Sequence, residues 1–199
     1  MCDLPSYQYS VIIGLLLSDG WLNFTDKIKS KNAQLGFKQS LKKIEYIWYV
    51  FNILSQYCSS LLYVNIGKRN NTITYGVGFI TRALPCFTNL HKLFYINKKK
   101  IIPTDIYNLL DPIALAHWIQ GDGTVKSEGI LLCTDLYTIQ DVVRLMNVLM
   151  IRYNLKCTTH KRKTDQYRIY ISRKSMDILK PIVINYFVPS MLYKLPPIC

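Results

Sequence analysis

The same order of elements occurs twice along this chain. Each half opens with an apolar run that ends in Asp-Gly, from Val11 to Gly20 and again from Ala114 to Gly123. A strand candidate, an amphipathic helix, a hairpin and a closing helix follow in both halves. The strand, helix and hairpin-turn ranges are 34–39, 42–57 and 67–71 in the first half, and 129–134, 139–153 and 161–166 in the second. Such a repeat predicts two copies of one α-β-β-α-β-β-α unit, which belongs to the α+β class.

The boundary between the two units falls near Pro103 to Pro112. We therefore divide the chain into an N-terminal repeat, residues 1–103, and a C-terminal repeat, residues 104–199. Few residues are identical between the halves, so the repeat is one of pattern. We expect a pseudo-twofold axis to relate the two halves.

Two strand candidates alternate in character. In the segment 72–79, Ile73, Tyr75, Val77 and Phe79 form the expected core face, which leaves Thr72, Thr74, Gly76 and Gly78 on the other. In the segment 167–173, Ile169 and Ile171 point one way and Arg168, Tyr170 and Ser172 the other. Antiparallel sheets commonly bury one face and leave the second free for a ligand. A basic, hydroxyl-rich face suits a DNA groove, where Arg and Lys read guanine.

The charge balance points to a polyanionic partner. The 199 residues include 25 Lys and Arg against 12 Asp and Glu, a formal net charge of +13. Neutralising phosphates releases counterions and drives association with nucleic acid. The apolar run from Val11 to Leu17 is too short to span a bilayer, and the N-terminus lacks the basic start of a secretory signal, so we expect a soluble protein with no membrane partner. The six cysteines have no Cys-x-x-Cys pair, which indicates free thiols in a reducing compartment.

Asp19 and Asp122 occupy matching places at the ends of the two apolar runs. A carboxylate at a helix C-terminus faces the negative end of the dipole, and two of them at a pseudo-twofold axis repel each other. A shared divalent cation removes that conflict, because hard cations prefer oxygen ligands. The structural alternative is that each Asp is an ordinary turn residue before Gly. The matched pair favours the metal site.

The segments 12–20 and 115–123 resemble the nine-residue motif of the LAGLIDADG homing endonuclease family, in its single-chain form with two motifs. The resemblance extends over nearly the whole chain, including the segments 98–104 and 188–196. It implies a monomer in which the motif helices pack at the centre and two saddle-shaped antiparallel sheets form a groove for the DNA major groove. It also implies site-specific cleavage of both strands of a long asymmetric site, with Mg²⁺ as cofactor, Mn²⁺ as substitute, and short 3′ overhangs.

Individual roles follow from the same resemblance. Asp19 and Asp122 match the family's metal-binding aspartates, and the carbonyls of Ser18 and Gly121 match further ligands. Lys100 and Lys194 match the basic residues that flank each site; the alternative for both is an ordinary contact to phosphate. The chain departs from the motif at its third position, which is Gly14 in one copy and His117 in the other. It departs also at the sixth position, which is Leu17 and Gln120. His117 puts close helix packing in question locally, and we expect it to be a packing or surface residue.

The candidates for DNA contact come from the strand faces and the basic segments, whose alternative role is that of solvated surface. They are Lys38, Lys68, Arg69, Asn70, Thr72, Thr74, Lys98, Lys161, Arg162, Lys163, Arg168, Tyr170 and Ser172.

Two other functions are compatible with this sequence. A group I intron RNA maturase would use the same fold and charge to bind intron RNA, and a DNA-binding regulator would need neither aspartate. Retention of both aspartates favours the endonuclease. Abundant Lys, Asn, Ile and Tyr fit an AT-rich genome, so we expect an organellar protein, with the mitochondrion ahead of the chloroplast.

Overall fold

The first half of the chain contains the seven predicted elements in the predicted order. The computed structural model describes residues 3–26, 30–69, 72–163 and 165–197. The elements are α1 (Ser6–Leu17), β1 (Trp21–Phe24), β2 (Ala33–Ser40), α2 (Ile44–Leu54), β3 (Tyr63–Arg69), β4 (Thr72–Ile80) and α3 (Pro85–Phe94).

The second half repeats this order after a short connection. The connection consists of β5 (Tyr95–Ile96), β6 (Lys99–Lys100) and α4 (Ile106–Leu109). The second half then contains α5 (Pro112–Asp122), β7 (Gly123–Lys126), β8 (Gly129–Leu132), α6 (Ile139–Tyr153), β9 (Cys157–Lys163), β10 (Gln166–Ile171) and α7 (Met176–Val183). Two 3₁₀ segments follow, Ile184–Tyr186 and Pro189–Lys194. The α+β class and the double α-β-β-α-β-β-α order are confirmed.

The two large sheets have the same topology. Their strand orders are β1-β2-β4-β3 and β7-β8-β10-β9, and every pairing is antiparallel. The pair Phe37 and Phe79 in the first sheet corresponds to Leu132 and Ile169 in the second, since each is a buried pair on the two middle strands. This register gives a residue-by-residue match between the halves.

Helices α1 and α5 lie at the centre of the molecule. Residues 11–17 of α1 and 114–121 of α5 are buried on every side. A helix that is apolar all round must be surrounded by protein, because it has no polar face to present to water. None of the described helices is long and apolar enough to cross a membrane.

The predicted core face of β4 is wrong at one end of the strand. Val77 and Phe79 are buried, but Ile73 is 57% exposed and Tyr75 48% exposed. Phe51 of α2 packs edge-on against Phe79, with ring centroids 5.8 Å apart. The β3–β4 hairpin extends beyond this helix, so the alternation continues past the point where a core exists to cover it.

Candidate active site

The two central helices touch through their glycines. A Cβ atom on Gly14 of α1 would lie 2.5 Å from the carbonyl oxygen of Ala114 and 2.5 Å from Cβ of His117. On the other helix, a Cβ atom on Gly121 would overlap the Ser18 side chain. Because real Cβ atoms cannot approach so closely, both positions require glycine. The close contact fixes the relative position of the C-terminal ends of the two helices, and with them that of Asp122 in α5 and of Asp19 just after α1.

His117 packs in the interface between the two helices, so the first of its two predicted roles is confirmed. The expectation that it disturbs close helix packing locally is wrong. Its side chain is fully buried and stacks against the rings of Tyr46 and Tyr49, with centroid distances of 5.8 and 6.2 Å. The Tyr46 hydroxyl lies 3.1 Å from Nδ1 of His117. Burial lowers the pKa of His117 to about 3, so the ring is neutral at physiological pH.

Asp19 lies close enough to Asp122 to affect the ionisation of Asp122, but the surroundings of the two carboxylates differ. Asp19 is exposed, and its Oδ2 accepts a 2.6 Å hydrogen bond from the Gln39 amide. Asp122 is half-buried, and its carboxylate has no hydrogen bond among the described residues. Burial raises the pKa of Asp122 to about 7, and the negative charge of Asp19 contributes to that rise. The pair therefore carries a repulsion that the protein does not fully offset.

Lys100 and Lys194 sit at matched positions beside these carboxylates. Lys100 Nζ donates to the carbonyls of Gly20, at 2.7 Å, and Ser18, at 3.3 Å. Lys194 Nζ donates to the carbonyl of Gly121 at 2.7 Å. Burial lowers the pKa of both lysines to about 8, while Asp19 and Asp122 act in the opposite direction. The structure thus brings together the six residues predicted for catalysis and metal binding, and the Ser18 and Gly121 carbonyls accept hydrogen bonds from the two lysines.

The small β5–β6 hairpin positions Lys100 beside the carboxylates. Lys100 lies at the end of this hairpin, whose turn residues Asn97 and Lys98 both have positive φ, at 49° and 65°. Two such residues make the tight turn whose twist matches a two-residue hairpin. The hairpin is held against the first sheet because the backbone N–H of Leu22 donates to the Tyr95 hydroxyl at 3.1 Å.

Lys194 is held in place by Gln120, the unusual residue at the sixth motif position. The buried Gln120 side chain donates to the carbonyl of Tyr186 at 3.1 Å and accepts from the backbone N–H of Val188 at 2.9 Å. Both contacts fasten the segment that leads into the 3₁₀ turn Pro189–Lys194. The departure from the motif thus has a structural role in bringing Lys194 to the site.

Sequence reasoning missed Gln39 and Lys43. Gln39 is buried on the same strand face as Leu35 and Phe37, where an amide needs a polar partner. Its Oε1 accepts a 2.9 Å hydrogen bond from Lys43 Nζ while its Nε2 donates to Asp19. The signal in the sequence was that Gln39 is the single polar residue on the otherwise apolar face of β2.

The equivalent of Gln39 in the second half is Thr134, as judged from the sheet register. Its buried hydroxyl donates to the carbonyl of Tyr167 and not to Asp122. The two half-sites therefore share carboxylate, carbonyl and lysine but differ in the group that orients the carboxylate.

The donor atoms suit a hard divalent cation. The carboxylates of Asp19 and Asp122 and the carbonyls of Ser18 and Gly121 all offer oxygen, the element that Mg²⁺ and Mn²⁺ prefer. Within the part of the chain that the structure describes, no group of three or more His, Cys, Asp or Glu side chains could hold a metal ion. Mg²⁺ is commonly bound by one or two carboxylates plus water and substrate phosphate, so this sparse set fits.

The first sheet places its DNA candidates on both faces. We define the outer face of each sheet as the one opposite its buried side chains. Lys38, Thr72 and Thr74 are exposed on the outer face of the first sheet. Lys68 pairs with Ile73 and therefore lies on the other face of the sheet. Arg69 is described only through its backbone pairing with Thr72, and Asn70 lies outside the described residues.

The second sheet separates its basic run in the same way. Arg168 and Tyr170 lie on the outer face, as predicted from the burial of Ile169 and Ile171. Tyr167, which lies on the inner face, pairs with Lys161, so Lys161 points away from the outer face. The register shifts beyond this pair, so Lys163 pairs with Gln166 on the outer face, and Arg162 between them shares Asp135 with Arg168. Ser172 is also a poor contact residue, since its hydroxyl oxygen is buried and has no partner among the described residues. Lys98 is exposed in the β5–β6 turn near Lys100.

Comparison with known proteins gives a family match and relatives that align with most of this chain. The model of the LAGLIDADG DNA endonuclease family matches residues 9–179. The cytochrome b mRNA maturase bI2 of Debaryomyces hansenii is 37% identical over 202 residues, covering 96% of this chain and 74% of that protein. The maturase of the same name from Saccharomyces cerevisiae is 33% identical over 200 residues, covering 94% of this chain and 46% of that protein.

A solved structure has the same fold throughout. It is that of the homing endonuclease I-WcaI bound to its DNA recognition sequence, with a TM-score of 0.89 and 26% sequence identity. The match covers 98% of this chain and 88% of that one.

Proposed function

Because this chain belongs to the LAGLIDADG DNA endonuclease family, we propose that it cuts both strands of a long, asymmetric duplex DNA site. The reaction is a phosphodiester hydrolysis that depends on Mg²⁺, with Mn²⁺ as substitute, and it leaves short 3′ overhangs. The protein serves the homing of its intron. I-WcaI, which shares the fold, is a homing endonuclease with a bound DNA recognition sequence.

One observation carries this proposal. Asp19 lies in the turn after α1 and Asp122 is the last residue of α5, two helices that are in direct contact. Each aspartate is accompanied by a lysine that is hydrogen-bonded to a neighbouring carbonyl. A structural role for two turn aspartates does not account for two partly desolvated lysines beside them. Two carboxylates and two lysines in matched halves suit two scissile phosphates, one on each strand.

Asp19 and Asp122 would hold the divalent ions, together with the Ser18 and Gly121 carbonyls. Bound metal ions neutralise charge on the phosphate, activate a water molecule and stabilise the leaving 3′ oxygen. The Lys100 and Lys194 ammonium groups stabilise charge that develops on each phosphate, and their hydrogen bonds to fixed carbonyls restrict where they point. Gln39, backed by Lys43, orients the carboxylate of Asp19.

The outer faces of the two sheets bind the duplex. Lys38, Thr72 and Thr74 contribute from the first sheet, and Arg162, Arg168 and Tyr170 from the second. The net charge of +13 supplies the attraction to phosphate that is independent of sequence. We further propose that the protein acts as a monomer, that its halves divide into residues 1–103 and 104–199, and that it comes from an organelle, the mitochondrion ahead of the chloroplast.

The test is cleavage of a plasmid that carries the intronless insertion site. Wild-type protein with Mg²⁺ should linearise the plasmid, and removing the metal with a chelator should stop cleavage. Asp19→Asn or Asp122→Asn should abolish double-strand cleavage while binding to the same duplex persists. Asp177→Asn, at an exposed position in the first turn of α7, is the matched charge control and should cut normally. Full cleavage by both active-site variants would disprove the assignment.

The relatives support a second candidate, an RNA maturase that assists splicing of its own intron. The two relatives reported above are named as mRNA maturases, with identities of 37% and 33%. The two activities separate in a splicing assay with the cognate intron and purified protein. Accelerated splicing by Asp19→Asn, which cannot cut, would show that a maturase function exists and does not need the metal site.

A further inference from the structure

A single carboxylate holds two arginines on the outer face of the second sheet. Asp135, in the loop after β8, accepts hydrogen bonds from Nε of Arg168 to Oδ1, at 2.8 Å, and from Nη2 of Arg168 to Oδ2, at 2.7 Å. Arg162 also pairs with Oδ2. The Asp135 side chain is 12% exposed and that of Arg168 is 24% exposed. This carboxylate is therefore almost covered by the two guanidinium groups.

An acidic residue at this place needs an explanation. The face carries the positive charge that attracts a duplex, and a carboxylate beside phosphate is repelled. On the first sheet, Lys38 occupies the corresponding outer face without an ion pair among the residues that the structure describes. Asp135 thus reduces non-specific attraction in one half only. We therefore expect Asp135 to have a favourable effect on the two arginines that it binds.

The gain is orientation of the Arg168 guanidinium. A two-point contact through Nε and Nη2 fixes both the plane and the direction of this group. A free arginine loses rotamer freedom when it binds, whereas one already held loses less. Two of the five N–H donors face Asp135, so the edge made by Nη1 and Nη2 retains one donor on each nitrogen.

That remaining edge has a defined complement in DNA. Guanine presents two acceptors, O6 and N7, in the major groove, and arginine binds them through two parallel N–H groups. The Cys133 side chain lies against the same guanidinium, but sulfur is a weak acceptor that a base displaces. The strand position adds support, because Arg168 projects from the outer face of β10 between the buried Ile169 and the half-buried Tyr167.

We propose that Asp135 is a positioning residue that fixes Arg168 to read a guanine in the half of the DNA site bound by the second sheet. This inference rests on the proposed DNA-binding function and adds to it a residue pair that determines specificity. Asp135 does not contact the base. It sets the direction of the residue that does.

The test is selection of binding sites from a randomised DNA duplex pool, without divalent metal so that no cleavage occurs. Wild type should enrich a site with a guanine in one half that Arg168→Ala no longer selects. Asp135→Asn should reduce the preference for that guanine about tenfold and leave the other positions unchanged. Asp165→Asn is the matched control, since it removes the same charge from the exposed β9–β10 turn at a positive φ that Asn tolerates.

The outcomes are distinguishable. If wild type enriches no sequence, the proposed DNA function fails. If Asp135→Asn keeps the guanine preference, or weakens every position equally, the positioning role is disproved although DNA binding stands. Circular dichroism checks folding, and if Asp135→Asn is unfolded, Arg168→Lys decides. A lysine keeps the charge but lacks the parallel N–H groups of a guanidinium. The Arg168→Lys variant should therefore lose the guanine preference and keep the salt dependence of binding. Unchanged preference in Arg168→Lys would likewise overturn the proposal.

Discussion

Gly14 and His117 occupy the same position in the two motif copies and meet each other across the helix interface. A Cβ atom on Gly14 would lie 2.5 Å from Cβ of His117. Because Gly14 has no side chain, it leaves room for His117 of the other helix, and His117 does not push the two helices apart. The rings of Tyr46 and Tyr49 also stack on His117 and add to its packing.

We predict that Gly14→Ala destabilises the protein by about 2 kcal/mol, because the new methyl group meets backbone as well as side chain. The measurement is chemical denaturation followed by circular dichroism. Gly76→Ala is the control, since a Cβ atom there would have its nearest neighbours at an ordinary 3.5 Å. Equal stability of the two variants would show that the helices can move apart at no cost.

His117 should make stability depend on pH. Its folded-state pKa of about 3 lies below its ordinary value of 6.5, so folding favours the neutral ring. The stabilisation is complete above pH 6.5 and declines as the pH falls from there toward 3, by at most about 1.4 kcal/mol per pH unit. His117→Phe keeps a ring against the two tyrosines but cannot titrate. Denaturation between pH 7 and pH 5 should therefore show a shallower loss in the variant. The same slope in both proteins would contradict the assignment.

Lys100→Met and Lys194→Met should each slow cleavage about a hundredfold, since each removes a preorganised charge beside a reacting phosphate. DNA binding should change much less, because one charge among the 25 basic residues is lost. Single-turnover cleavage and a filter-binding assay separate the two effects. Lys98→Met, in the exposed turn next to Lys100, is the control. A comparable rate loss in that control would mean that Lys100 and Lys194 make only ordinary phosphate contacts.

Gln39→Leu should impair the two strands unequally. It removes the 2.6 Å hydrogen bond to Asp19, whereas the carboxylate of Asp122 has no such partner among the described residues. Nicked circular plasmid should accumulate before linear product on an agarose gel. Thr134→Val, at the matched position of the other half, should cut both strands together because its hydroxyl bonds the Tyr167 carbonyl. Synchronous cutting by Gln39→Leu would mean that the amide is dispensable.

The sequence predicted the element order and the pairing of Asp19 with Asp122, because both follow from short-range patterns. A single apolar run that ends in Asp-Gly is compatible with an ordinary turn, but its recurrence at the same place in a second α-β-β-α-β-β-α unit predicts that symmetry brings the two aspartates together. Ser18, Gly121, Lys100 and Lys194 were identified through the family resemblance and not through spacing.

Other features depended on distances that a sequence does not contain. Whether Ile73 is buried depends on how far α2 extends over its sheet, and the face of Lys68 depends on strand register. The pairing of Arg168 with Asp135 joins residues from different elements, and only the folded sheet brings them together. Local pattern determines which elements form, because it acts through the periodicity of adjacent residues. The tertiary structure alone decides which side chains meet, because contact depends on the packing of elements that are far apart along the chain.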